Sequence, residues 1–97
     1  MPFQWSDQAL ESLADITLYY EIEADRSVAD VIEGRIFEQV ESFNTFPMSA
    51  PESEIFPGMR KVVISHLPYV AFIRRLRGDA WEVVDVVHTS RRLPKNS

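Results

Sequence analysis

In the first half of the chain apolar residues recur at helical spacing, and in the last third they gather into short alternating or continuous runs. Leu10, Leu13, Tyr20 and Ala24 form one stripe with Ile16 beside it, while Glu11, Asp15 and Glu21 lie largely off it. That pattern predicts an amphipathic helix of about 17 residues. Ser6 is its candidate N-cap, and Asp7 in the first turn suits the helix dipole. A second stripe runs Val28, Ile32, Ile36, Val40 and Phe43. It predicts a helix opening at Ser27, with Asp30 three residues on as a capping-box variant. Gly34 interrupts it, from close packing or simple tolerance, and the helix should stop before Phe46-Pro47. With only Asp25 to Ser27 between them, the two helices form an antiparallel hairpin.

The rest reads as strands. Residues 2–5 are a short first strand at the start of a sheet, where Pro2 does no harm. Residues 47–58, with three prolines and a glycine, are an ordered loop. Residues 60–66, 69–76 and 81–88 follow as an antiparallel meander joined at Leu67-Pro68 and Arg77-Gly78-Asp79. The middle strand is apolar on both faces for its first five residues, Tyr69-Val70-Ala71-Phe72-Ile73, so it belongs in the centre of the sheet. Two amphipathic helices side by side must bury their shared face, and the sheet is the surface available. The fold class is α+β, a two-helix hairpin on one face of a small antiparallel sheet, forming a single domain over residues 1–97 with 95–97 as a loose tail.

Charge changes this picture by dividing the chain. Residues 60–97 carry eight Lys and Arg against Asp79, Glu82 and Asp85, or +5; residues 1–59 carry two against twelve carboxylates, or −10. The net charge of −5 therefore conceals an acidic front half and a basic sheet. Such asymmetry speaks of partners rather than fold. Composition narrows the rest. The 97 residues are 45% hydrophobic and suit one folded domain. There is no cysteine, which removes disulfides, thiolate catalysis and Cys-based zinc sites. No 18-residue apolar run or signal-peptide pattern occurs, so a cytoplasmic protein without a membrane partner is expected.

The candidate chemistry lies in the basic sheet. Arg60, Arg74 and Arg75 suit bidentate contact with phosphate, or equally with carboxylates of their own fold. Alternation places Arg74 and Arg75 on opposite faces, so they cannot share one site. His88 and His66, at strand ends, are general-base candidates or hydrogen-bonded edge residues. Two histidines without a clustered third ligand make no metal site. Trp81 is a contact anchor or a packing residue, and Arg91, Arg92 and Lys95 form a basic exit. The Tyr19-Tyr20 pair reads as packing, since Tyr20 falls on the helix stripe.

From Trp5 to Pro94 the order and punctuation resemble the RelE/ParE superfamily of toxins from type II toxin–antitoxin systems, most closely the ParE branch. The residues that carry the likeness are Trp5 and Ala9, the Ile16–Tyr20 run, and Phe43-Asn44-Thr45-Phe46-Pro47. Pro57-Gly58-Met59-Arg60, Pro68-Tyr69-Val70-Ala71-Phe72 and Val86-Val87-His88-Thr89-Ser90-Arg91 continue it. RelE-type members that cut mRNA commonly have an Arg after the middle-strand Tyr and a Tyr near the C-terminus. Here Val70 follows Tyr69, and no tyrosine occurs after Tyr69. The resemblance thus implies a toxin that binds DNA gyrase without cofactor or catalytic residues. It would be neutralised by a ParD-like or RelB-like antitoxin and reach operator DNA only through it. Arg60, Arg74, Arg75, Trp81, His88, Arg91 and Arg92 are the implied contact residues. The alternatives are a ribosome-dependent mRNA endonuclease using Arg60, Arg74 and His88, and a partner-binding module without toxicity.

Overall fold

The computed structural model describes residues 2–91. Its elements run β1 (Gln4–Trp5), α1 (Asp7–Glu23), α2 (Arg26–Glu41), β2 (Met59–Val63), β3 (Tyr69–Arg75) and β4 (Trp81–His88). Short 3₁₀ turns span Pro47–Ser49 and Thr89–Arg91. The sheet order is β1-β4-β3-β2. The meander is antiparallel as expected, but β1 joins β4 in parallel, Gln4 opposite Glu82 and Trp5 opposite Val83, so the sheet is mixed. The reason is topological: α1 and α2 return the chain to the far edge of the sheet, and β1 fills the edge beside β4.

Ser6 explains why the first helix begins where it does. Its hydroxyl accepts from the Ala9 N–H and donates to the Val84 carbonyl, while its own N–H donates to the Val83 carbonyl. One residue therefore caps α1 and fastens it to β4. The second cap is Asp25 rather than Ser27, because the Asp25 carboxylate accepts from the Val28 N–H at 2.9 Å and helix geometry already holds at Arg26. The carboxylate acceptor two residues earlier outcompetes the serine.

The stripes fall one position off the sequence reading at their first turns. Ala9, Leu13 and Ile16 of α1 and Ala29, Ile36 and Val40 of α2 are buried, whereas Leu10 and Val28 face outward. Small residues at 9 and 29 allow close approach at the crowded ends, and the larger neighbours are displaced to the rim. The buried helix residues except Ala29 pack in one cluster with Val62, Ile64, Tyr69, Ala71, Ile73, Val83 and Val86. A bulge between Phe72/Ile73 and their β4 partners shifts the register, so Val83 and Val86 face the helices although three apart. On the opposite face Val70 and Phe72 are also buried, with the Phe56 ring edge-on to Phe72 at 5.1 Å. The middle strand is thus covered on both sides, as its composition requires.

Strand β2 ends at Val63 rather than at residue 66. Ile64 to Pro68 form the turn, with His66 left-handed at φ 66°. Gln39 of α2 accepts from the Ser65 N–H and holds this turn against the helices. At the other end Glu41 closes the molecule. It accepts from Trp5 Nε1 at 2.8 Å, from the Phe3 N–H at 3.2 Å and from Asn44, while Phe37 stacks on the Trp5 ring. No described helix is long and apolar enough to cross a membrane.

Two stability outcomes follow from these contacts. A Cβ added at Gly34 meets nothing within 4 Å, so tolerance rather than close packing explains that glycine. Gly34→Ala should raise the unfolding free energy by about 0.5–1 kcal/mol in urea titration, as expected for an unstrained helix-interior glycine. Glu41→Ala should cost about 2 kcal/mol by stranding the Trp5 and Phe3 donors, with Trp5 fluorescence shifting in the native baseline.

Candidate functional site

Strand register sorts the sequence-derived residues into three places. Arg60 lies opposite Ile73 and therefore shares the helix-facing side, at the edge strand. Its guanidinium turns into the loop after α2, donating to the Ala50 carbonyl at 2.7 Å and the Met48 carbonyl at 3.2 Å, with Glu52 3.6 Å away. Only 18% of that side chain is exposed. Arg75 and Trp81 oppose each other at the same end of the sheet, where Trp81 packs on the core and Arg75 bonds the Gly78 carbonyl. Arg74 lies on the other face, paired with Glu82 across the strands at 2.9 Å. His88 lies opposite Tyr69 on the helix-facing side, at the other end. Four residues of strand and two strand spacings separate it from Arg60, about 14 Å along and about 10 Å across. Arg91 closes the final 3₁₀ turn, and Arg92 and Lys95 lie outside the described residues.

The basic sheet is also less basic than its sequence. Arg60 and Lys61 are met by Glu52 and Glu54 of the preceding loop, Arg74 by Glu82, and Arg75 by Asp79. The loop belongs to the acidic half by sequence, yet it folds back alongside β2. By contrast α1 carries Asp7, Glu11, Asp15, Glu21 and Glu23 and no basic residue. The acidic helix keeps most of its charge unpaired among the described residues, whereas four of the basic residues of the sheet are met by carboxylates.

The feature that sequence reading missed is a cleft of about 700 Å³ between α1 and the ends of β3 and β4. Ser12, Asp15, Ile16, Tyr19 and Tyr20 form the helix wall, and Pro68, Tyr69, Val86, His88 and Ser90 the strand wall. Tyr19 and Tyr20 meet edge to face at 5.1 Å, and Tyr69 and His88 at 5.5 Å. The Tyr69 hydroxyl reaches that of Tyr20 at 3.4 Å. Tyr20 packs as expected, but Tyr19 is 55% exposed. The available signal was a doubled tyrosine with one member off the stripe, four residues from an acid.

One ring nitrogen of His88 is engaged by the turn that follows it. The Ser90 main-chain N–H donates to Nδ1 at 3.1 Å, and Ser90 Oγ lies 2.8 Å from the same nitrogen. A main-chain N–H can only donate, so Nδ1 is the acceptor and the neutral ring carries its proton on Nε2. Such a ring is arranged to donate from Nε2 rather than to abstract a proton there.

The chain and its fold are similar to known proteins. Residues 3–93 match the model of the ParE toxin of the type II toxin–antitoxin system parDE. The chain belongs to the ParE toxin family. Among solved structures it is similar to a chain of the chromosomal ParDE toxin–antitoxin system from P. aeruginosa, with a TM-score of 0.82 at 22% identity, covering 91% of this chain and 95% of that one. At that identity the likeness speaks for the fold. Nothing among curated proteins matches the sequence. The ParE branch expected from the sequence is therefore the family of this toxin.

Arg60 on the edge strand and Arg74 on the neighbouring inner strand should respond differently to removal. Arg60→Ala strands two main-chain carbonyls, one on fully buried Ala50, and should cost about 2 kcal/mol in chemical denaturation. Arg74→Ala removes a half-exposed surface pair and should cost below about 1 kcal/mol.

Proposed function

We propose that this ParE-family toxin arrests DNA gyrase by binding and is held inactive by a cognate antitoxin. The observation that carries the reading is the dispersal of the alternative catalytic set. Cleavage of mRNA by attack of a 2′-hydroxyl on the adjacent phosphate needs a base, cations and an acid around one phosphate. Arg60 is committed to loop carbonyls, Arg74 is on the other face, and His88 is at the far end with Nδ1 occupied as an acceptor. Family membership supports the toxin role, and the dispersed residues fit contact better than chemistry.

Unpartnered apolar surface supports the antitoxin. On α1 Leu18 and Ile22 face outward, as does Val31 on α2, and Ile22 is 70% exposed. Phe46 and Met48 in the following loop are exposed as well, Phe46 at 73%. Apolar patches of this kind mark protein contact sites. A flexible antitoxin segment that folds on binding covers such a surface and leaves operator contact to the antitoxin's own DNA-binding part. Arg74, Arg75, Trp81, His88, Arg91 and Arg92 are the proposed contacts with antitoxin or target, while Arg60 acts by holding the loop in place. Binding gyrase sets the site of action in the cytoplasm.

The test is a supercoiling assay with purified toxin, gyrase and relaxed plasmid. Supercoiling should be blocked or cleaved DNA should accumulate, and the antitoxin should relieve either effect. Specific cleavage of mRNA in translating ribosomes with gyrase untouched would overturn the proposal and restore the endonuclease reading.

A further inference from the structure

We propose that the cleft between α1 and the end of β4 is a docking site for an arginine side chain carried by a peptide segment of a partner protein. The inference deepens the reading above, and rests on it only in taking the antitoxin as the source of that segment.

Three observations lead to this occupant. The walls carry four rings, of which Tyr69 is nearly buried and Tyr19 stands exposed at the rim. Tyr19 meets Tyr20 edge to face and is itself 55% exposed, so its ring offers surface at the rim for a planar cation to stack on. Asp15 lines the same cleft and makes no hydrogen bond or ion pair with the described residues, unlike neighbouring Ser12, which donates to Asp85. The helix that bears Asp15 has five carboxylates and no basic residue, so the local field rejects an acidic segment and attracts a basic one.

Arginine suits the site better than lysine. Its guanidinium is flat enough to lie on a tyrosine face while two of its N–H groups fork on to a carboxylate. A lysine ammonium satisfies the carboxylate but offers no plane to stack. The partner segment is therefore expected to be bipolar, with an arginine for this cleft and carboxylates only where it passes the sheet.

Nitrogen-15-labelled full-length toxin titrated with N-acetyl-arginine amide tests the proposal, with the lysine and citrulline analogues as comparisons. Saturable shifts should be confined to Asp15, Tyr19, Tyr69, His88 and Ser90. Citrulline, with the same shape and no charge, should bind about tenfold more weakly, and Asp15→Asn should weaken the arginine probe about fivefold. Asp15 is exposed, so this variant should keep the wild-type spectrum elsewhere. Shifts spread along every carboxylate of α1, equal binding of citrulline, or indifference to Asp15→Asn would each overturn the site. Binding that appears only after deletion of residues 92–97 would assign the cleft to the chain's own Arg92 or Lys95, and binding lost as the toxin self-associates would assign it to a second copy; either result ends the partner assignment. The readout is direct, so a toxin that binds the arginine probe and leaves gyrase unaffected loses its proposed target but keeps this site.

Discussion

A strand that is apolar on both faces cannot lie at a surface, and the rest of this molecule is arranged around that constraint. Tyr69 to Ile73 are all buried. One side is covered by the helical hairpin through Leu13, Ile16, Ile36 and Val40, the other by the loop that brings Phe56 to Phe72. Covering both sides of one strand with under a hundred residues leaves little chain to spare. The loop between α2 and β2 therefore has a packing duty, and its fixed path explains why a largely covered arginine is spent on its carbonyls.

That duty also rearranges charge. Glu52 and Glu54 are carried alongside β2 by the same loop and neutralise Arg60 and Lys61. The sheet gives up much of its field to internal pairing, while α1 has no cation on its own length and, apart from Glu21, which meets Arg26 at 3.4 Å, forms no ion pair among the described residues. The electrostatic identity of this toxin thus resides in a helix rather than in the arginine-rich strands.

Element positions were legible in the sequence because each rests on local chemistry: the Ser6 cap, the apolar run of β3, the turn at Gly78. The helix-hairpin on a sheet followed from counting which faces needed burial. What local chemistry does not carry was lost. The parallel pairing of β1 depends on where the chain returns after two helices. The bulge that turns both Val83 and Val86 inward depends on register, which a one-residue slip changes. The same holds for the functional residues. Arg60 looked available because its partners, two main-chain carbonyls some ten residues away, have no signature in sequence. The cleft went unseen because its walls come from α1 and from the ends of β3 and β4, even Tyr20 and Pro68 being 48 positions apart, and neither wall alone has the composition of a site.

The pairing of Gln4 with Glu82 has a consequence for how the toxin comes into being. The first strand made waits for the last, and β4 is an inner strand of the sheet, not a trim on its edge. Until β4 is made, β3 lacks one of its two neighbours, and neither Ser6 nor β1 has the backbone it fastens to. Contacts of such long sequence separation form late in folding. A chain that stops short of β4 accordingly has its helices but neither the strand wall of the cleft nor the backbone that anchors β1.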